Sequence, residues 1–364
     1  MRILQIISGR DINGALIYCK ILSQRLRDLG HDVTVLVRQD SWLVEQLKEA
    51  QIPFLTSSMN RFPTSELNRV AKWIRENRID LVHTHMSRGH AFGVLLKMFT
   101  GVPVVATAHS RTFQIHWRMN DFVIANSEST ADYQNRINRV SSSNMQTIHC
   151  FVDLERFENV TPKACRIVRR QLRLRGDEFV VGLVGDVTQR KGHIHLFRAL
   201  RKIVDAVPNF KLVLLGRFHR QEAYTKRLRS ILIENDLFCR TKWLGIRLNI
   251  QDFMSVFDLC VVPSEREPLG LVAIEAMACG TPVVAANVDG LPEIVQHETN
   301  GLLVPGQDSN ALADAVIKLA HNQDLREQYG QTGREMVFER FDPATLTDKV
   351  IDVYEDLLSR KRAA

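Results

Sequence analysis

Two glutamates, Glu267 and Glu275, stand eight positions apart in the stretch Pro263 to Ala285, PSEREPLGLVAIEAMACGTPVVA. An apolar run, Leu259 to Val262, ends at a Pro-Ser pair and charged residues follow. The pattern then predicts an amphipathic helix that starts near Pro268 and stops at Gly280. In that frame Glu267 falls in a polar loop and Glu275 inside the helix, about 12 Å apart along its axis. The backbone amides of Leu269, Gly270 and Leu271 fall in the first turn, where N–H groups lack helical partners and the dipole favours an anion. Gly270 has no side chain to block one. The stretch therefore offers a carboxylate for sugar hydroxyls, a diphosphate seat and a second carboxylate for a ribose. The competing reading is an ordinary strand–helix unit whose glutamates are solvated.

A second set of groups suits the same chemistry. Phe179 to Gly185 reads as a buried strand, and Arg190-Lys191-Gly192 follows at the start of a helix. Paired cations at such a turn bind phosphate, because Arg engages two oxygens at once and Lys adds a mobile point charge; the alternative is a solvated basic turn. Near the N-terminus, Ile3 to Ile7 and Val33 to Val37 read as strands around a helix with apolar period through Leu16, Cys19, Leu22 and Leu26, and Gly14 sits in the first turn. That is the place where open α/β sheets bind ligands, although a tight connection alone also uses a glycine. His83 and His85 share one face of a strand over residues 80–85, without an evident third metal ligand, and read as core or cleft histidines. Pro103 to His109 is a strand whose carboxyl end delivers His109, for which a structural and a functional role both stand.

The elements that position these groups alternate between strand and helix along nearly the whole chain. Residues 43–50, 65–77 and 89–100 read as helices, 121–125 as a strand, and Ser127 as a helix cap. Residues 158–164 have the composition of a linker, and a helix with six basic residues between Lys163 and Arg175 follows. Lys211 to Leu215 and Thr241 to Gly245 add strands, and residues 342–358 a last helix. Two α/β domains are expected, residues 1–160 and 161–340, with 341–364 as a terminal segment.

The stretch Glu267-Pro-Leu-Gly-Leu-Val-Ala-Ile-Glu275-Ala-Met-Ala-Cys-Gly280-Thr-Pro-Val-Val resembles the signature of the retaining GT-B glycosyltransferases of family 4, E-G-F-G-L-x-x-x-E-A-M-A-x-G-x-P-V-V. Pro268 and Leu269 depart from its Gly-Phe. Further resemblances are Asp80 to His85 (D-V-V-H-x-H), Asp289-Gly290-Leu-Pro292-Glu293-Ile (G-x-P-E-I) and Asn300-Gly301-Leu-Leu-Val-Pro305. Cys150-Phe151 replaces an Asn-Gly before Val152-Asp153, and Asp186 replaces an arginine that Arg190 is placed to substitute. The resemblance implies two facing Rossmann-like domains with the active site in the cleft between them, and a last helix crossing back to the first domain. It implies retaining transfer of a sugar from a nucleotide diphosphate sugar to a hydroxyl of a saccharide or lipid-linked acceptor. Glu267 and His109 would then face the donor sugar, and Gly14, Arg190, Lys191, the backbone amides of Leu269, Gly270 and Leu271, together with Glu275, would hold the rest of the donor. No metal cofactor is implied. An epimerase, a phosphorylase or a nucleotide-sugar-binding protein without turnover are the alternatives.

Composition bounds the partners. A chain of 364 residues with 45% hydrophobic and 24% charged residues is ordinary globular protein, long enough for two cores. No apolar run reaches the length of a membrane span and the N-terminus lacks a signal-peptide core, so a cytoplasmic location is expected. The six cysteines show no C-x-x-C spacing and read as buried reduced thiols. Between Arg61 and Arg118, nine cationic residues face three acids. That window makes an anionic membrane surface a candidate partner, with a solvated surface as the plainer alternative. No recognition motif supports nucleic acid.

Overall fold

The computed structural model describes residues 1–59, 64–218 and 222–363. The chain divides into two compact units, Met1–Val152 with Pro343–Ala364, and Asp153–Asp342.

The first unit is built on seven strands: β1 (Arg2–Ile7), β2 (Asp32–Arg38), β3 (Phe54–Ser57), β4 (Leu81–His85), β5 (Val104–Ala108), β6 (Phe122–Ala125) and β7 (Met145–Thr147). They lie in the order β3-β2-β1-β4-β5-β6-β7, every pairing parallel. Ile3, Leu4, Ile6 and Ile7 are all fully buried, as a strand covered by helices on both faces requires. The strand order reverses between β1 and β4, which opens a crevice at their carboxyl ends. Gly14 and His85 stand there. The helix Gly14–Asp28 starts on Asn13, whose Oδ1 accepts from the N–H groups of Ala15 and Leu16 at 3.0 and 3.2 Å. Ser127 caps Glu128–Arg136 through the Thr130 N–H at 3.0 Å.

The second unit carries β8 (Phe179–Val184), β9 (Phe210–Leu215), β10 (Thr241–Trp243), β11 (Leu259–Val262), β12 (Val283–Ala286) and β13 (Gly301–Val304), parallel and in the order β10-β9-β8-β11-β12-β13. Its reversal lies between β8 and β11. The loops that leave these two strands carry Arg190 and Lys191 on one side and Glu267 on the other.

Several elements differ from the sequence expectation. The strands β3 and β7, of four and three residues, are too short for a period to show. The helix after β11 spans Leu271–Ala278 rather than starting near Pro268, because Gly270 takes a left-handed φ of 106°. Leu269 and Gly270 therefore precede the helix. The stretch 158–164 is no linker either. It holds the end of the helix Leu154–Glu158 and the start of Pro162–Leu172, where Thr161 Oγ1 accepts from Ala164 N–H at 3.2 Å and Pro162 opens the first turn. Its polar residues are capping chemistry. The last helix runs longer than expected, Pro343–Ala363, and packs on Gly14–Asp28 within the first unit.

All six cysteines are free, but only Cys19, Cys150 and Cys260 are buried; Cys165 and Cys279 are half-buried and Cys239 is exposed. Cys239 sits ahead of β10 in a short turn, Phe238–Arg240, none of whose residues is buried. Within the basic window, Arg69 pairs with Glu66 at 2.6 Å, Lys72 with Glu76 at 3.6 Å and Lys97 with Asp121 at 3.0 Å. Arg61 lies outside the described residues. Among those residues no helix is long and apolar enough to cross a membrane.

Candidate active site

In the second unit, two loops at the reversal point are stitched together by their backbones. Glu265 N–H donates to Arg190 O at 2.8 Å, and Gly192 lies so close to the β11 loop that a Cβ there would meet Pro263 O at 1.8 Å. Gly192 also holds φ 67°, so the close approach and the dihedral both demand glycine. The β11 loop is braced from its far side, where Glu267 N–H donates to Asp289 Oδ2 at 2.9 Å and Gly290 N–H to Glu267 O at 3.1 Å. The Asp-Gly pair of the G-x-P-E-I segment thus holds the loop in place.

The side chains converge as the backbones do. Lys191 Nζ lies 2.6 Å from Glu267 Oε2, Ser264 Oγ donates to the same oxygen at 3.2 Å, and Arg190 Nη1 stands 3.6 Å away. Burial alone would push the Glu267 carboxyl up. The charges of Lys191 and Arg190, with the hydrogen bonds from Lys191 and Ser264, outweigh it and hold the group below its ordinary range. Glu267 is therefore a buried carboxylate, ionised and paired. Glu275 is the opposite case. It lies inside the helix Leu271–Ala278, buried, and burial pushes its carboxyl up to about 7 against weaker pulls from Arg156 and Lys191. Two glutamates in one motif thus carry different charge at neutral pH.

Between them, Leu269, Gly270 and Leu271 donate to no backbone carbonyl among the described residues. Their N–H groups are free for a ligand although the helix starts later than expected, since a loop entering a helix presents amides as a first turn does. The Asp186 carboxylate takes no part in this cluster. Its Oδ1 accepts from Arg217 N–H at 2.8 Å and ties the β8 loop to the β9 loop, a role that no feature of the sequence signals.

In the first unit, Gly14 is the first residue of its helix, and His109 follows β5. The alternation of β4 places His83 and His85 on one face, with ring centroids 4.3 Å apart. His83 Nδ1 meets Tyr354 Oη at 2.6 Å and Nε2 meets Thr107 Oγ1 at 2.7 Å. His85 Nε2 donates to Gln5 Oε1 at 2.7 Å, and its Nδ1 stands 3.0 Å from His109 Nε2. Cys150 Sγ lies 3.6 Å from His109 Nδ1. Burial pushes His83 and His109 down to about 3 and His85 well below its ordinary value. The histidines are thus neutral and hydrogen-bonded. Among the described residues no three His, Cys, Asp or Glu side chains are arranged to hold a metal ion. Gln5, Cys150 and Tyr354 were not singled out as partners from the sequence, because hydrogen bonds across 24 to 271 residues leave no local pattern.

Comparison with known proteins identifies the family and the fold. Residues 12–156 match the family described as Glycosyltransferase Family 4, and residues 166–336 that described as Glycosyl transferases group 1. A D-inositol 3-phosphate glycosyltransferase of Saccharomonospora viridis is 30% identical over 347 residues, covering 87% of this chain and 78% of that protein. The lipopolysaccharide core biosynthesis glycosyltransferase LpsD of Rhizobium meliloti is 27% identical, with 98% of each chain covered. Anabaena Alr3699/HepE, solved in complex with UDP and glucose, superposes with a TM-score of 0.89 at 23% identity over 98% of this chain and all of that one. The chain belongs to the group 1 glycosyltransferases and has the GT-B fold.

Proposed function

We propose that this glycosyltransferase moves a sugar, with retention of anomeric configuration, from a nucleotide diphosphate sugar to a hydroxyl of a saccharide or lipid-linked acceptor in surface polysaccharide assembly. The observation that carries the reading is the cluster of Arg190, Lys191 and Glu267 at the reversal point of the second sheet. Two cations and the amides of Leu269, Gly270 and Leu271 suit a diphosphate, whose charge grows as the glycosidic bond breaks. Glu267 faces the donor sugar, Glu275 the ribose, and Gly14 and His109 contribute from the first unit. The leaving phosphate, held by Arg190 and Lys191, helps take the acceptor proton, and no metal ion is required. UDP in the HepE structure and the lipopolysaccharide role of LpsD support a uridine donor and a glycan acceptor.

We further propose that the first unit rests on an anionic membrane surface at the cytoplasmic face. Met98, Phe99, Phe113, Ile115 and Met119 are exposed. Lys97 and Lys361 both contact Asp121 beside them, at 3.0 and 3.1 Å, and Arg118 is exposed within the same turn, Ile115–Met119. Apolar side chains rimmed by cations suit anionic lipid.

The test of the catalytic reading is a panel of uridine, guanosine and adenosine diphosphate sugars, scored for thermal shift and for nucleotide release with and without glycan acceptors. Product linkage of the same anomeric configuration as the donor supports it. Binding without release identifies a protein that has lost turnover. Release without an acceptor, or with phosphate alone, identifies an epimerase or a phosphorylase.

A further inference from the structure

The His109 ring is held at both nitrogens by protein groups that it meets only in the folded chain. Nε2 stands 3.0 Å from His85 Nδ1, and Nδ1 stands 3.6 Å from Cys150 Sγ. His85 in turn reaches Gln5 Oε1 through Nε2 at 2.7 Å. The direction of this chain follows from its ends. The Gln5 oxygen only accepts, so His85 carries its proton on Nε2 and accepts at Nδ1. His109 must then donate from Nε2, which leaves Nδ1 as an acceptor. At the other end a thiol is a better donor than acceptor toward nitrogen, and Cys150 is placed to donate its S–H. Both ends impose the same polarity.

We infer that His85 and Cys150 fix His109 in a single neutral tautomer, protonated at Nε2, and are positioning residues that deny His109 any exchange of protons with substrate. Tyr18 packs its ring edge on His85 and His109 at centroid distances of 5.9 and 5.5 Å, and on Phe151 at 4.8 Å, closing the ring in from the side. The titratable groups around the chain are His83, His85, His90, Cys19, Cys150, Tyr18 and Tyr354. None is a carboxylate, so nothing there favours an imidazolium. With both nitrogens engaged inside the protein, the ring carbons and the main chain are what His109 has left to offer a ligand.

The assignment to substrate rests on the glycosyl-transfer reading above, but the tautomer does not, and the experiment separates the two. Nitrogen-15 histidine labelling with long-range proton correlation reads each ring nitrogen directly, and His109→Gln assigns the signal. The expected spectrum has a bare Nδ1 and a protonated Nε2 at His109, unchanged between about pH 5 and 8, where an ordinary histidine titrates. Cys150→Ser keeps a donor and Cys150→Ala leaves the Gln5–His85 end in place, so each should keep that pattern, whereas Gln5→Leu with Cys150→Ala directs neither end and should give a mixture of tautomers. If the donor panel has yielded turnover, the double variant should lower kcat about 3- to 10-fold without a new pH dependence, and Gln5→Leu with Cys150→Ser should restore it. A proton on Nδ1, titration of His109 within that range, or an intact tautomer in the double variant would overturn the inference. Failure of every donor would defeat the catalytic reading and leave the spectrum to decide this one.

Discussion

Lys191 Nζ lies 2.6 Å from Glu267 Oε2, so the cation proposed to bind phosphate and the carboxylate proposed to face the sugar, placed on different strand ends, neutralise each other in the ligand-free protein. The pair makes the ligand-free loops self-consistent: Glu267 is 8% exposed, and a carboxylate so buried needs a partner. On the proposed reading, an incoming diphosphate would compete with Glu267 for Lys191.

Lys191→Ala should weaken nucleoside diphosphate and donor alike by about 10- to 100-fold, the scale of one charge-assisted hydrogen bond of ~1.5–3 kcal/mol. Glu267→Gln should behave differently from a simple loss. It frees Lys191, so nucleoside diphosphate should bind as well as in the parent protein or more tightly, while kcat falls by ~10²-fold for want of a preorganised charge. Titration calorimetry on both variants and on the double variant measures the coupling. Additive effects on nucleotide affinity would show that the pair has no bearing on binding.

Glu275 carries a pH signature. Its carboxyl is pushed up to about 7 by burial, so it gains charge as pH rises through neutrality and, as the proposed ribose contact, would become the better acceptor for hydroxyls. Nucleoside diphosphate should bind more tightly at about pH 8 than at pH 6. The nucleotide's own phosphate titrates too, but it does so equally against Glu275→Gln, and the difference between the two proteins isolates the side chain. Identical pH profiles would remove Glu275 from the ribose.

The same shift predicts stability. An acid whose folded pKa is raised binds more protons folded than unfolded between its unfolded value and about 7, so stability falls as pH climbs through that window. Above it the charged carboxylate costs the fold on the order of 3 kcal/mol. Glu275→Gln should therefore melt higher than the parent at pH 8, and the gap should close toward pH 5. A gap that widens in acid would contradict the burial argument.

Gly192→Ala should lower the melting temperature and nucleotide affinity together, since its Cβ would meet Pro263 O at 1.8 Å in a left-handed backbone. Left-handed strain alone costs about 1–3 kcal/mol, and the clash adds to it. Calorimetry with and without UDP checks it; an unchanged protein would show the two loops are not locked.

For the membrane surface, flotation with vesicles should show binding to anionic but not neutral lipid, weakening with salt over a Debye length of about 10 Å at 0.1 M. The triple change Phe113→Ser, Ile115→Ser, Met119→Ser should abolish it, as all three side chains are exposed. Equal binding to both lipids would remove the proposal.

Much of the fold was legible because long buried strands such as β1 and β8 write their character into uninterrupted apolar runs, and because Glu267 and the Arg190-Lys191 pair lie on loops that such strands must release, with Glu275 on the helix that follows. What was not legible has two physical origins. Short edge strands such as β3 and β7 owe their pairing to neighbours rather than to their own residues. Contacts between distant segments, Lys191 with Glu267 and His109 with Cys150, depend on which loops the sheet order brings together. Pro268 looked like a helix start and Thr161-Pro162 like a linker because proline opens loops and helices alike; the φ of Gly270 and the cap on Ala164 decide each case.

The helix Pro343–Ala363 belongs to the unit begun by Met1, and its Tyr354 reaches the core of that unit at His83. Tyr354 must therefore leave the ribosome before the unit begun by Met1 can finish its interior, while Asp153–Asp342, contiguous in sequence, is free to fold earlier. Loss of this helix should leave the amino-terminal sheet, not the carboxyl-terminal one, without its full interior.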